Sequence, residues 1–341
     1  MTSIPGAGKL AAAFASVLMV ALLMVGRPLP AASAHSVTTE TDQTELPTVI
    51  SGGSDHNIKR WAPSGKLIDT LGSLEDSVNV LLLLPNGLLA SGGADGLVKF
   101  WNLTNATETR SITASKSAVD SLAATPDGSL LAVGTADGKI ALWSYTTGKR
   151  LSETPAHGGA VQALQIASDG MLLISGSADK TIRIWHISRE MGRIEYKSNI
   201  SAHDEPVTAI AISRGDGLIA TVSEDGYLKT WRLDGGLVGR MKVCDRGVES
   251  VAFSPDGRIV ATGDSDGKVR LWNAQTSTPL TTVLSHSRDR AVLALAFSPD
   301  GKVLVSGGAD KTIRYWNVES GQKLKSIAAH DGEIRSLVIS P

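Results

Sequence analysis

The chain has one cysteine, Cys244, in 341 residues. No intrachain disulfide can form, and no zinc site built on paired cysteines is possible. There is also no Cys-x-x-Cys-His run to attach a haem covalently. An excess of one charge is missing too, since 33 basic residues face 34 acidic ones for a formal net charge of −1. A balanced chain has no general attraction for polyanions, so nucleic acid is not an expected partner. Aromatic residues make up only 4% of the chain, but 42% of it is hydrophobic, enough for a sizeable core and too much for wholesale disorder.

Long apolar runs are equally scarce. The one candidate, Leu10 to Val25, extends for 16 uncharged residues, short of the roughly 20 that a spanning helix needs. Lys9 precedes it, Arg27, Pro28 and Pro30 break it, and Ala32-Ser33-Ala34 offers a small-x-small cleavage site before His35. Residues 1–34 therefore read as a secretory signal peptide cleaved after Ala34. The expected location is periplasmic or secreted, with membrane contact only through an uncleaved signal segment. Residues 35–46 are polar and without period, as in a flexible leader.

What the chain has in abundance is repetition. The seven tryptophans stand at 61, 101, 143, 185, 231, 272 and 316, separated by 40 to 46 residues. Six residues before each stands an aspartate: Asp55, Asp95, Asp137, Asp179, Asp225, Asp266 and Asp310. A period of this length signals a propeller. Each unit has the same grammar. Val292–Phe297 is a strand-length apolar run, Ser298-Pro-Asp-Gly301 a turn, and residues 302–306 a second strand. A second turn leads to Thr312–Trp316, and a looser strand follows at 323–327. These runs predict four-stranded antiparallel blades and no helix.

The strings Ser175-Gly-Ser-Ala-Asp-Lys-Thr-Ile-Arg-Ile-Trp185 and Ser306-Gly-Gly-Ala-Asp-Lys-Thr-Ile-Arg-Tyr-Trp316 carry a family likeness. Residues 47–341 resemble a WD40-repeat β-propeller. No tryptophan here is followed by aspartate; Asn102, Asn273 and Asn317 take that place in three repeats, with Ala62, Ser144, His186 and Arg232 in the others. The expected fold is all-β, a seven-bladed WD40-type β-propeller. Its ring closes because residues 333–341 match a first strand while residues 47–61 begin at a second. The C-terminal strand should pair with the chain around Val49–Gly52 and remove two open edges.

Four histidines stand just before first strands. The resemblance implies that each begins a buried hydrogen-bonded chain through a hydroxyl to the tryptophan, fixed by the turn aspartate. The sets are His157/Ser175/Asp179/Trp185, His203/Thr221/Asp225/Trp231, His286/Ser306/Asp310/Trp316 and His330/Ser51/Asp55/Trp61. The last would tie the two ends of the propeller together. A Ser–His–Asp trio also resembles a nucleophile triad, but it recurs four times, whereas an active site is made once, and nothing marks an oxyanion site. The structural reading is preferred. Leu74, Ser115 and Cys244 hold the histidine slot in the other blades, and Val133 replaces the second-strand hydroxyl of the Trp143 unit. Blades around Trp101 and Trp143 should thus be the less rigid ones. His35, at the mature N-terminus, could chelate copper but reads as a solvated end; His56 and His186 read as surface positions. Lys59, Lys99, Arg183, Lys229, Arg270 and Arg314 recur two residues before a tryptophan, with Ala141 as the exception. They read as stems packed over the tryptophan rather than as a ring for an anion.

Function must come from sites, not from the fold. The resemblance implies a non-catalytic protein–protein interaction scaffold, with one or more proteins as partners and no cofactor or metal. Its partner face would be built by Glu75, Asp76, Lys116, Asp204, Glu205, Asp245, Arg246, Arg288, Asp289, Arg290, Asp331 and Glu333, an uneven charged rim suited to electrostatic recognition. Two alternatives stay open. One is a propeller hydrolase, or a metal or small-ligand binder, using the central channel. The other is a docking accessory to periplasmic redox proteins. Sequons at Asn102, Asn105 and Asn199 matter only in a host that glycosylates.

Overall fold

The computed structural model describes residues 45–340 apart from 216; the segment expected to be a signal peptide and most of the expected leader lie outside them. The described chain forms seven four-stranded antiparallel sheets and no helix. In six blades the strands follow sequence order from the axis outward. The seventh, carrying Trp61, is assembled from both ends of the chain, in the order Ile334–Ile339, Val49–Gly53, Asn57–Trp61, Leu67–Ser73. Val49 pairs with Ile339 and Gly52 with Ser336. Backbone bonds from Ser54 N to Glu333 O (2.9 Å) and from Ser340 N to Thr48 O (3.0 Å) extend the seam at both ends. The closure expected from the sequence is thus present.

The core is divided like the ring. Seven hydrophobic clusters form, one between each pair of neighbouring blades, and each contains one tryptophan. Trp185, for example, packs with Leu130, Leu142 and Ile140 of the preceding blade. The second strands are the most buried elements: Val49–Gly53, Leu130–Thr135 and Val303–Gly308 are buried at every position. Outer strands such as Thr107–Thr113 are almost wholly exposed, so burial peaks at the second strand and falls away outward from it.

The turn between second and third strands needs one left-handed residue. Gly138 supplies it at φ 80°, where an added Cβ would lie 2.5 Å from the His157 carbonyl oxygen. His56, Lys180 and Lys311 take the same conformation in their own blades, at a conformational cost that glycine avoids.

One irregularity recurs in every blade. The pairing of first with second strand shifts register after the first residue of the innermost strand, leaving the second residue unpaired. A bulge of this kind re-aims a side chain. The seven residues so treated are Asn79, Asp120, Gln162, Thr208, Glu249, Leu293 and Arg335. Because the innermost strands contact one another in a closed ring, these residues form one layer around the axis.

Candidate functional site

The four histidine sets come together as connected chains. In the Trp61 blade, Trp61 Nε1–H donates to Ser51 Oγ (2.8 Å), which lies 2.7 Å from His330 Nε2, while His330 Nδ1 lies 2.8 Å from Asp55. The corresponding distances are 2.8, 2.7 and 2.9 Å in the Trp185 set, 2.9, 2.8 and 2.9 Å in the Trp231 set, and 2.8, 2.6 and 3.0 Å in the Trp316 set. The carboxylate accepts from Nδ1–H, which leaves Nε2 to accept the hydroxyl proton, so every donor and acceptor has one role. Each serine or threonine hydroxyl is fully buried. A buried hydroxyl whose lone pair is taken by an indole N–H cannot reach a substrate, which removes the triad reading on geometry.

Burial pushes the His157, His203 and His330 rings below the usual histidine range, against the pull of their aspartates. Burial would raise Asp55, but the His330 bond and charge and the Asp331 and Asn57 amides outweigh it and bring the carboxyl down to about 2. Asp179 is likewise lowered to about 2, since Thr181, the Gly158 amide and His157 together outweigh its burial. Each aspartate thus also pins the loop that carries its histidine.

The remaining blades replace the chain differently. Trp101 Nε1 still reaches Ser91 (2.9 Å), and Leu74 fills the histidine slot. Trp143 Nε1 is buried without a partner among the described residues, as Val133 in the hydroxyl position implies. Elsewhere on this blade, Ser115, Lys116, Asp137, Lys139, Arg150 and Glu153 line a crevice of about 390 Å³. In the Trp272 blade, Thr262 accepts from the indole (2.9 Å), and burial lifts the Cys244 thiol to about 11. There the turn is held not by Asp266 but by Asp264, fully buried, which takes the amides of Asp266 and Lys268 and pairs with Arg270.

The recurring cations do more than cover tryptophans. Lys99 does lie 5.9 Å from the Trp101 ring. The wider pattern is a bond to the carbonyl just before the histidine slot: Lys59 to Ala329 (3.1 Å), Arg183 to Ala156 (2.5 Å), Lys229 to Ala202 (2.6 Å) and Arg314 to Ser285 (2.5 Å). Their charge is committed to holding loops, which adds to the stem reading and disfavours an anion ring.

These loops make the face named from the sequence. Glu75, Asp76, Lys116, Asp204, Glu205, Asp245, Arg246, Arg288, Asp289, Arg290 and Asp331 are exposed; Glu333 is half-buried because its backbone is tied to Ser54. Several charges are paired within the face: Lys180 with Glu205 (3.3 Å), and Arg246 with Asp266 (3.4 Å) and Asp289 (3.5 Å). Paired rims steer less than free ones but fix loop shape.

At the centre of this face lies the bulged layer, which the sequence reading missed. Arg335 donates to Asn79 Oδ1 (2.8 Å), and Asn79 Nδ2 donates to Asp120 Oδ1 and to the Val119 carbonyl (both 3.2 Å). Thr208 donates to the Val248 carbonyl (2.5 Å), and Ser265 donates to Glu249 (2.7 Å). Gln162 Oε1 is buried with no partner among the described residues. Among those residues no group of three or more His, Cys, Asp or Glu side chains could hold a metal. A signal did exist: the second residue of each innermost strand is polar in six of seven blades, within otherwise apolar runs.

Comparison with known proteins agrees with this architecture. The family model described as nucleolar protein 10-like, N-terminal domain, matches residues 167–341. Models of the anaphase-promoting complex subunit 4 WD40 domain and of the WD domain, G-beta repeat, match residues 99–158 and 65–102. The human lysosomal-trafficking regulator is 34% identical over 103 residues, 28% of this chain but 3% of that protein. A periodic tryptophan protein 2 homolog of Dictyostelium discoideum is 35% identical over 92 residues, 27% of this chain and 10% of that one. The chain thus spans a tenth or less of these relatives. A crystal structure of the computationally designed Ika8 protein superposes with a TM-score of 0.67 at 30% identity, over 86% of this chain and 88% of that one. With half its length under one propeller model and the whole ring accounted for, the chain belongs to the WD40-repeat β-propeller family.

Proposed function

We propose that the protein is a non-catalytic scaffold that binds another protein through the face carrying the histidine loops, and that it works outside the cytoplasm. The observation that carries this reading is the division of labour at that face. Buried chains and aspartate clamps hold the loop bases, while the loop tips present side chains of uneven length and charge. A pre-ordered surface loses little conformational freedom on binding. The matched relatives include proteins named for ribosome biogenesis and lysosomal trafficking, in keeping with propellers serving larger assemblies. The short apolar core and the Ala-Ser-Ala site at residues 10–34 support export.

The test is a cross-linked pull-down of the tagged protein from its native envelope fraction, read by quantitative mass spectrometry. A near-stoichiometric partner, lost when Arg288 and Arg290 are changed to Glu and Asp245 to Lys, is the expected result. A well-folded bait that recovers nothing, or a partner indifferent to all three changes, removes this reading.

A further inference from the structure

The bulged layer is electrically lopsided. Arg335 stands on one innermost strand, with its guanidinium on Asn79. Going round the ring past Asn79, the next four positions are Asp120, Gln162, Thr208 and Glu249. This arc offers mainly acceptors. Asp120 receives one amide bond on Oδ1. Thr208 spends its proton on a backbone carbonyl and keeps its lone pairs. Glu249 takes a hydroxyl on one oxygen. Gln162 Oε1 is buried and unbonded among the described residues, a condition that destabilises the site unless a donor arrives. Nearby Glu224 is pushed up by burial and by repulsion from Glu249 and Glu205, as expected where negative charge gathers. The Gln162 amide nitrogen is the donor among these acceptors, so the group that completes this arc is rich in donors and carries positive charge.

We infer that the channel mouth between the innermost strands Val119–Ala124 and Val161–Ile166 is a binding site for an organic cation, an ammonium or guanidinium group, held by Asp120 and Gln162 with Thr208 and Glu249 beyond. The cation comes either from a free small molecule or from a lysine or arginine side chain of a bound protein. Only the second source rests on the scaffold reading. The bulge is what makes the site: with regular pairing these seven residues would sit in the ladder, and the polar layer would not form. The site is sign-selective. An anion would meet Asp120 and Glu249, and the one opposing charge, Arg335, is held on the far side of Asn79. The charged group facing Asp120 is Arg335; the strands on either side present the neutral amides of Asn79 and Gln162. Burial, partly offset by Arg335 and Asn79, lifts the Asp120 carboxyl to about 6. Cation binding therefore weakens as pH falls through that value, because the carboxylate that draws the cation becomes neutral.

The test is isothermal titration of the full chain at pH 7.5 with methylguanidinium, the tripeptide Gly-Arg-Gly acetylated at its N-terminus and amidated at its C-terminus, and the identically capped citrulline peptide as the neutral isostere. Millimolar binding of both cations and none of the citrulline peptide is expected. Asp120→Asn should weaken the cations about tenfold. Arg335→Gln should tighten them severalfold, and Gln162→Glu should do the same. The gain-of-affinity variants keep the test meaningful if Asp120→Asn fails to fold. Equal affinity of the two cations assigns the site to a free small molecule; a much tighter tripeptide assigns it to a partner side chain. Binding of the citrulline peptide at equal strength, no heat from either cation at about 10 mM, or affinities untouched by all three substitutions would overturn the inference. Cation binding by a protein that captures no partner would leave this site standing and remove the scaffold reading.

Discussion

Trp143 offers a direct measure of what the buried chains contribute, since its indole N–H is buried without an acceptor while Val133 occupies the hydroxyl position. Val133→Thr is close to isosteric, and threonine already fills this slot twice. Thr221 and Thr262 accept from Trp231 and Trp272 at 2.9 Å each. The substitution relieves an orphaned donor, about 1–3 kcal/mol, against the cost of burying a hydroxyl whose own proton lacks a histidine. A net gain of about 1 kcal/mol is expected. Adding Ser115→His should give the hydroxyl proton an acceptor near Asp137 and raise the gain beyond the sum of the single changes, as members of one network couple. Urea unfolding followed by tryptophan fluorescence reads the result as a higher midpoint at unchanged slope. A Val133→Thr protein less stable than its parent would show that the indole N–H is satisfied otherwise and that the chains do not stabilise as argued.

Other consequences follow from the same geometry. Acid should weaken the fold in two stages. Histidines held neutral below the usual range lose stability as pH falls below about 6.5, where only the unfolded rings take up protons. Asp55 and Asp179, lowered to about 2, add a further loss between about pH 4 and 2, on the order of 2 kcal/mol each; melting temperature against pH would show one smooth loss if the sets were not intact. The Tyr315 hydroxyl is fully buried with no partner among the described residues, so Tyr315→Phe should leave stability equal or raise it by up to about 1 kcal/mol, and a clear drop in urea midpoint would reveal a hidden partner. Cys244, buried and lifted to about 11, should react with a thiol reagent far more slowly in the native protein than in denaturant at pH 8, whereas equal rates would place it at the surface.

The parts legible in sequence were those that repeat in identity. Trp185 and Asp179 recur with fixed spacing because each position meets the same neighbours in every blade, and His330 could be assigned to Ser51 across the seam because the other blades supply the pattern. The channel layer repeats in position but not in identity. Arg335, Asn79 and Asp120 differ in every chemical respect, and the bulge that aligns them is a register shift, which depends on the partner strand. Asp264 was overlooked for a related reason. It lies two residues from the expected Asp266, and only burial beside Arg270 distinguishes the working carboxylate. The Lys59 and Arg183 series was visible, but its acceptors are backbone carbonyls contributed by the preceding loop, which have no sequence signature.

The binding face and the channel layer both depend on a ring closed by the two ends of the chain, so the measurement to make is thermal unfolding of the protein lacking residues 333–341. Loss of the strand Ile334–Ile339 removes the ladder to Val49–Gly53, the bulged Arg335 and the backbone bonds to Ser54, and bares the edge of Val49–Gly53. The account predicts a protein that is unfolded or aggregated. A soluble truncated form melting at the temperature of the intact chain would contradict it.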